Sequence, residues 1–202
     1  MKQDKRARIV EVTDVASEKR ARPRVYLAGP DVFFADSEKI FQNLLAHCER
    51  LGMVGLVPSD GGIFEGIVGA DDELAQRIYD GNVALMCDAD GVVANLMSFR
   101  GAEPDSGTAF EVGFAAALQK PVVVYGVPEG SYASRVAAAI PSTRDSGGNL
   151  RETKTGVLIE GLGQRMNLML TRSTAMAPTA EAALEMLRNM LKGSGDEDDK
   201  VP

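Results

Sequence analysis

Between residues 24 and 192, short β-branched runs alternate with stretches of helical periodicity, and few folds accommodate that order. Arg24-Val25-Tyr26-Leu27-Ala28 is rich in strand-forming side chains and ends at Gly29-Pro30. Asp36 or Ser37 then caps a helix whose Ile40, Phe41, Leu44, Leu45, Cys48 and Leu51 form one apolar stripe, with Gly52 at its end. Met53 to Val57 predicts a second strand, closed by Pro58. Asp71-Asp72-Glu73 puts negative charge where the dipole favours it, at the start of a helix running to about Cys87. Gly91 to Leu96 and Val122 to Tyr125 predict two further strands, with a weak fifth near residues 173–176 and a last helix over residues 179–192. The alternation predicts an α/β fold: a single doubly wound domain, flavodoxin-like or Rossmann-like, with a five-stranded parallel sheet flanked by helices.

The ends lack that pattern. Residues 1–22 are charged and aperiodic, and residues 193–202 are acidic with almost nothing apolar to bury, so they are expected to be a flexible leader and a disordered tail around one domain at 23–192. A chain of 202 residues can bury a core without metals or cross-links. Cys48 and Cys87 both fall in helical segments among apolar neighbours and are expected to be small core residues in a reducing compartment. His47 is the only histidine, which removes His-based triads and His-rich metal sites; no metal or cofactor is expected. A net charge of −7 argues against nucleic acid as a partner. No apolar run approaches a membrane span and the polar N-terminus lacks a signal-peptide core, so no membrane partner and a cytoplasmic location are expected.

In parallel sheets the ligand binds beyond the carboxyl ends of the strands, where strand order reverses. The unusual loops share that address: Gly29-Pro30-Asp31, Pro58-Ser59-Asp60-Gly61-Gly62, and residues 97–105. The last leads into Asp105-Ser106-Gly107-Thr108-Ala109-Phe110-Glu111-Val112-Gly113, which holds one carboxylate in a Gly-containing loop and another one turn into the next helix. Two carboxylates so placed suit glycosidic chemistry, in which one attacks and the other handles a proton. The plainer reading is an Asp that caps the helix and a Glu on its solvated side.

Val25-Tyr26-Leu27-Ala28-Gly29-Pro30-Asp31-Val32-Phe33, Cys87-Asp88-Ala89-Asp90, Pro104 to Glu111, Ile159-Glu160-Gly161-Leu162-Gly163 and Met166-Asn167-Leu168-Met169-Leu170 resemble the nucleoside 2-deoxyribosyltransferases over about residues 24–192. The resemblance implies a transferase that moves the deoxyribosyl group of a 2'-deoxynucleoside donor onto a free nucleobase acceptor. It implies Glu111 as the nucleophile, Asp105 as the group exchanging a proton with the base, and Tyr26 as the hydroxyl that orients Glu111. It further implies substrate contacts from Gly29, Asp31, Phe33, Asp60, Asn82, Ser106 and Gly107. Asn167 matches an asparagine that relatives donate to a neighbouring subunit, so a homo-oligomer, dimer or higher, is expected.

One departure stands out. Some relatives place a Gln or Glu after the second strand against the base, where this chain has Asp60-Gly61-Gly62. Base recognition must then come from elsewhere or be permissive, and Asp60, which could contact the base or a proton, reads more simply as the opening residue of a turn. A hydrolase of deoxynucleoside 5'-monophosphates is the nearest alternative, but the acid and two aromatics after strand one do not suit a phosphate. A non-catalytic nucleoside-binding module is the other, and the presence of both Glu111 and Asp105 speaks against it. No G-x-G-x-x-G or P-loop is present to cradle a dinucleotide or ATP.

Overall fold

A computed structural model of the chain describes residues 21–58 and 71–193. In order these form β1 (Arg24–Ala28), a 3-10 turn (Pro30–Phe33), α1 (Ser37–Arg50), β2 (Val54–Leu56), α2 (Asp71–Asp88), β3 (Gly91–Asn95), α3 (Ser106–Ala117) and β4 (Val122–Tyr125). Then come α4 (Tyr132–Ala139), β5 (Ser142–Arg144), β6 (Leu150–Glu152), α5 (Leu168–Ser173), β7 (Ala175–Met176) and α6 (Ala180–Gly193). Five strands make one parallel sheet in the order β2-β1-β3-β4-β7, while β5 and β6 pair antiparallel as a separate hairpin. Chain order reverses between β1 and β3, which opens a crevice at their carboxyl ends.

The period of two along each strand sorts the core into two layers. Tyr26, Ala28, Val92 and Ala94 face one side, against Met86 of α2 and Val112 and Ala115 of α3. Val25, Leu27, Val93 and Val123 face the other, against Phe41, Leu44 and Cys48 of α1 and Leu184 and Leu187 of α6. Strand β1 therefore aims Tyr26 at α3, the helix that carries Glu111. Lys120 fixes the end of α2, donating from Nζ to the carbonyls of Met86 (2.9 Å), Cys87 (2.6 Å) and Ala89 (2.5 Å), which satisfies terminal helix acceptors with a positive charge.

Three expectations are corrected. Cys48 is buried, but Cys87 is exposed: Met86 faces the core, and the next residue lies about 100° around the helix, toward solvent. Residues 141–155, where no strand is expected from the sequence, contain the β5–β6 hairpin. Asp145 nucleates its turn by accepting the N–H groups of Gly147 and Asn149, each at 2.9 Å, and it ion-pairs with Arg151 at 2.7 Å. That ion pair, then the hydrogen bonds from Asn149, pull the Asp145 carboxyl down to about 2. The weak strand near residues 173–176 begins only at Ala175, because Ser173 still closes α5.

Candidate active site

Tyr26 is fully buried, yet its hydroxyl reaches Glu111 and donates to Oε1 at 2.6 Å. Helix α3 makes this possible by burying Thr108, Val112 and Ala115, which leaves Glu111 on the shoulder between core and solvent. Burial raises the Glu111 pKa to about 7; the Tyr26 hydrogen bond pulls the other way and the Asp105 charge adds to the rise. Burial, then the Glu111 charge, keep the Tyr26 phenol protonated, so it remains a donor.

Asp105 is the N-cap of α3. Its Oδ2 accepts the Thr108 N–H at 2.8 Å and the Thr108 hydroxyl at 3.0 Å. The capping reading and the cleft reading therefore hold together, since Asp105 also lines the same cleft as Glu111. Gly107 permits the arrangement: a Cβ there would stand 3.0 Å from Asp105 Oδ2, tighter than a normal contact.

The cleft has a volume of about 1040 Å³, ample for a small organic ligand. Gly29 and Phe33 enter it from the segment after β1, Ile78 and Asn82 from α2, and Glu38, Phe41, Gln42 and Leu45 from α1. Its charged side chains among the described residues are Glu38, Asp105 and Glu111; none is basic. A notch of about 160 Å³ between α2 and α3 shares Asn82, Gly107 and Glu111 with it and adds Tyr79 and Phe110. Phe33 stacks on Phe99 with centroids 5.5 Å apart, and the Arg100 guanidinium lies 5.5 and 4.6 Å from the two ring centroids.

Several expected residues sit elsewhere. Ser106 is exposed and off the cleft lining. Asp31 is only 4% exposed and also off the lining; both its oxygens accept from Asn95 Nδ2, at 3.0 and 3.1 Å. Burial raises the Asp31 pKa and the Asn95 hydrogen bond opposes the rise. Asn95 accepts the Met97 N–H at 3.2 Å, so this pair ties the turn after β1 to the loop leading toward Asp105. Gly29 and Gly126 close over it, and a Cβ on either would overlap Asp31 or Asn95 at 2.4 and 2.3 Å. Asp60 lies outside the described residues.

Asn167 does not reach the cleft of its own chain. It caps α5, with Oδ1 accepting the Met169 N–H at 3.0 Å and Nδ2 donating to Glu160 Oε2 at 3.1 Å. Of its apolar neighbours, Met166 is 3% exposed and belongs to the core, and Leu170 packs against the same core. Met169 alone of that group is strongly exposed, at 71%, and Val157, Leu158 and Leu162 are exposed apolar residues of the segment preceding it.

Sequence reasoning missed Glu38, Gln42 and Asn95. The first two look like an ordinary i, i+4 pair on a solvated helix face, and the available signal was Leu45, an apolar residue beside them that lies outside the buried set of α1. Among the described residues no cluster of His, Cys, Asp and Glu is placed to hold a metal ion, and no helix is long and apolar enough to cross a membrane.

A protein from Schizosaccharomyces pombe is 31% identical over 159 residues, covering 73% of this chain and 74% of that protein. The structure of a 2-desoxiribosyltransferase from Leishmania mexicana is similar with a TM-score of 0.61 and 29% identity, covering 83% of this chain and 97% of that one. A conserved protein from Enterococcus faecalis shares the fold, with a TM-score of 0.51 and 19% identity over 84% of this chain and 99% of that one. The family profile described as nucleoside 2-deoxyribosyltransferase matches residues 25–169, the span holding Tyr26, Asp105 and Glu111, and the chain belongs to that family.

Proposed function

We propose that the protein exchanges the base of 2'-deoxynucleosides, with retention, through a deoxyribosyl ester on Glu111. The observation that carries this is the 2.6 Å contact of Tyr26 with Glu111 on a cleft that Glu111 shares with Asp105. A Glu111 oxygen attacks C1' of the donor as the N-glycosidic bond breaks, and that bond's electron pair leaves with the base. Asp105 in its acid form gives the departing base its proton. The acceptor base then attacks C1' through a ring nitrogen, loses its proton to Asp105, and frees the Glu111 carboxylate. Tyr26 holds Glu111 in one orientation throughout, and Gly29, Phe33, Asn82 and Gly107 border the space the nucleoside would fill.

The charge of the cleft favours a nucleoside over its 5'-monophosphate. Three carboxylates line the cleft, no Lys or Arg is part of that lining, the nearby Arg100 guanidinium lies over the Phe33 and Phe99 rings, and residues 59–70 contain neither Lys nor Arg. A phosphate would enter a field of its own sign. A 2'-hydroxyl would withdraw electrons from the oxocarbenium-like transition state, so 2'-deoxy donors are preferred over ribonucleosides. Asn167, absent from the lining of its own cleft, is assigned to the neighbouring site of a homo-oligomer.

Incubation with deoxyinosine alone, and then with added adenine, tests the reading. Deoxyadenosine formed only when adenine is present supports transfer; free deoxyribose formed equally in both replaces transfer by hydrolysis; silence removes the enzyme. Equal turnover of inosine and deoxyinosine contradicts the 2'-deoxy preference.

A further inference from the structure

The polar groups of the cleft divide by wall. Tyr26, Glu111 and Asp105 are committed to the chemistry, Thr108 is bonded to Asp105, and Asn82 borders the notch beside Glu111 and so belongs with the sugar end. The polar side chains left on the lining are those of α1: Ser37, Glu38 and Gln42. Much of the remaining lining is apolar, from Phe41, Leu45, Val57, Pro58 and Ile78. A nucleobase has that division of character, with apolar faces and a polar edge.

Resting on the transfer reading above, we infer that Glu38 and Gln42 read the outer edge of the base and favour one that presents an amino group beside an unprotonated ring nitrogen. Gln42 Nε2 donates to Glu38 Oε1 at 3.0 Å. A carboxylate only accepts, so this bond fixes which way the Gln42 amide faces. Left for a ligand are the second Glu38 oxygen and Gln42 Oε1, both acceptors, and one Gln42 N–H. Two acceptors beside one donor match N6–H2 and N1 of adenine, or N4–H2 and N3 of cytosine. A 6-oxo purine would turn its carbonyl oxygen toward the Glu38 charge. A solvated helix pair makes the same 3.0 Å bond, but this pair lies on the lining of the cleft that also holds Glu111.

Free adenine and free 6-methylpurine, nearly the same shape but differing in the donor, are titrated into the full-length protein with no donor nucleoside present, so no turnover occurs. Adenine is expected to bind about tenfold more tightly, the lower end of what a hydrogen bond to a charged group is worth. In the double variant Glu38→Ala, Gln42→Ala the ratio is expected to fall to near one. Glu38→Gln, which keeps an acceptor but not the charge, should fall between. Both positions are exposed on a helix and Ala sustains helices, and circular dichroism verifies the fold. Equal binding of the two bases by the unaltered protein overturns the inference, as does a preference that survives in the double variant. Base release from deoxyadenosine, measured in the same preparations, tests the transfer reading alone: a protein that releases no base yet loses its adenine preference in the double variant keeps the edge and loses the transfer.

Discussion

The corner made by β1 and α3 and the segment from α4 to α5 solve their polar problems differently. In the first, elements rooted in the core place the polar groups: Tyr26 by a strand buried from Val25 to Ala28, Glu111 by a helix anchored through Val112 and Ala115. The cost of burying a carboxylate there is concentrated on Glu111, whose pKa burial pushes up to about 7. In the second, Asn167 and Glu160 satisfy each other and the N–H groups of α5, while Met169, Leu162, Leu158 and Val157 stay exposed. The corner is complete in energy and unsatisfied in charge, as a reacting group needs to be. Around Asn167 the segment is satisfied in hydrogen bonding and incomplete in burial, the kind of surface an interface would use.

The contrast breaks first at Glu111. Replacing it with Ala should lower transfer by at least about 10⁴-fold while the fold persists, because the proposed mechanism forms its ester on this carboxylate. A 2-fluorinated arabinonucleoside, whose fluorine slows breakdown of the intermediate, should label Glu111 in a peptide mass map. A label on any other carboxylate would move the chemistry out of this corner.

The two regions also differ in how far the sequence discloses them. Strand β1 was legible residue for residue, since five β-rich residues ending at Gly29-Pro30 leave little freedom, and the α3 cap followed from Asp105 three residues before Thr108. Alternation of strand and helix sufficed for the parallel sheet. The Asp31–Asn95 pair was hidden because it spans |i−j| = 64, and Asp31 looks the same in one dimension whether it faces a ligand or a buried amide. The hairpin of β5 and β6 was hidden because its strands lie outside the main sheet and show no buried alternation; Asp145 and its turn hold it, not a core. Glu38 and Gln42 were hidden because solvent and a wide cleft ask for the same side chains.

Asp105→Asn should cost about 10²–10³-fold in rate, the usual value of a positioned acid or base. Asn caps helices as well as Asp does, so stability should change by less than about 1 kcal/mol and the loss belongs to the proton. A donor whose leaving group needs no protonation should recover part of the rate at the first step. Equal loss on ordinary and activated donors would make Asp105 a binding residue.

Asn167→Ala should lower activity by about tenfold or more through the neighbouring site, a loss typical of one hydrogen bond to substrate. Mixing it with Glu111→Ala chains should restore activity after subunit exchange, because some oligomers then hold one site with both residues intact. A fully active monomer, or proven exchange without recovery, would reduce Asn167 to the cap of α5 that its bonds to Met169 and Glu160 describe.

The smallest effects are shifts in pH, and they resolve the corner most finely. In the proposed mechanism Glu111 attacks as a carboxylate, so with a donor whose leaving group needs no protonation kcat/KM should rise with pH through about 7, the value to which burial brings it. Tyr26 stabilises the charged form by donating to it, so Tyr26→Phe should move that limb to higher pH. Asp105 disfavours the charged form by repulsion, so the residual activity of Asp105→Asn should show the limb at lower pH. Stability carries the same signature in the opposite sense. The folded protein holds the Glu111 proton more tightly than the unfolded chain does, so the contribution of this group is fully present below about pH 4.5 and is lost as pH rises through about 7. Glu111→Gln cannot ionise and escapes the loss. Relative to the unaltered protein it should gain up to about 3 kcal/mol above pH 8 and almost nothing at pH 4, measured by urea unfolding. Parallel stability curves for the two proteins across that range would mean that Glu111 is ionised without cost, and the corner would then be no more strained in charge than the Asn167 segment.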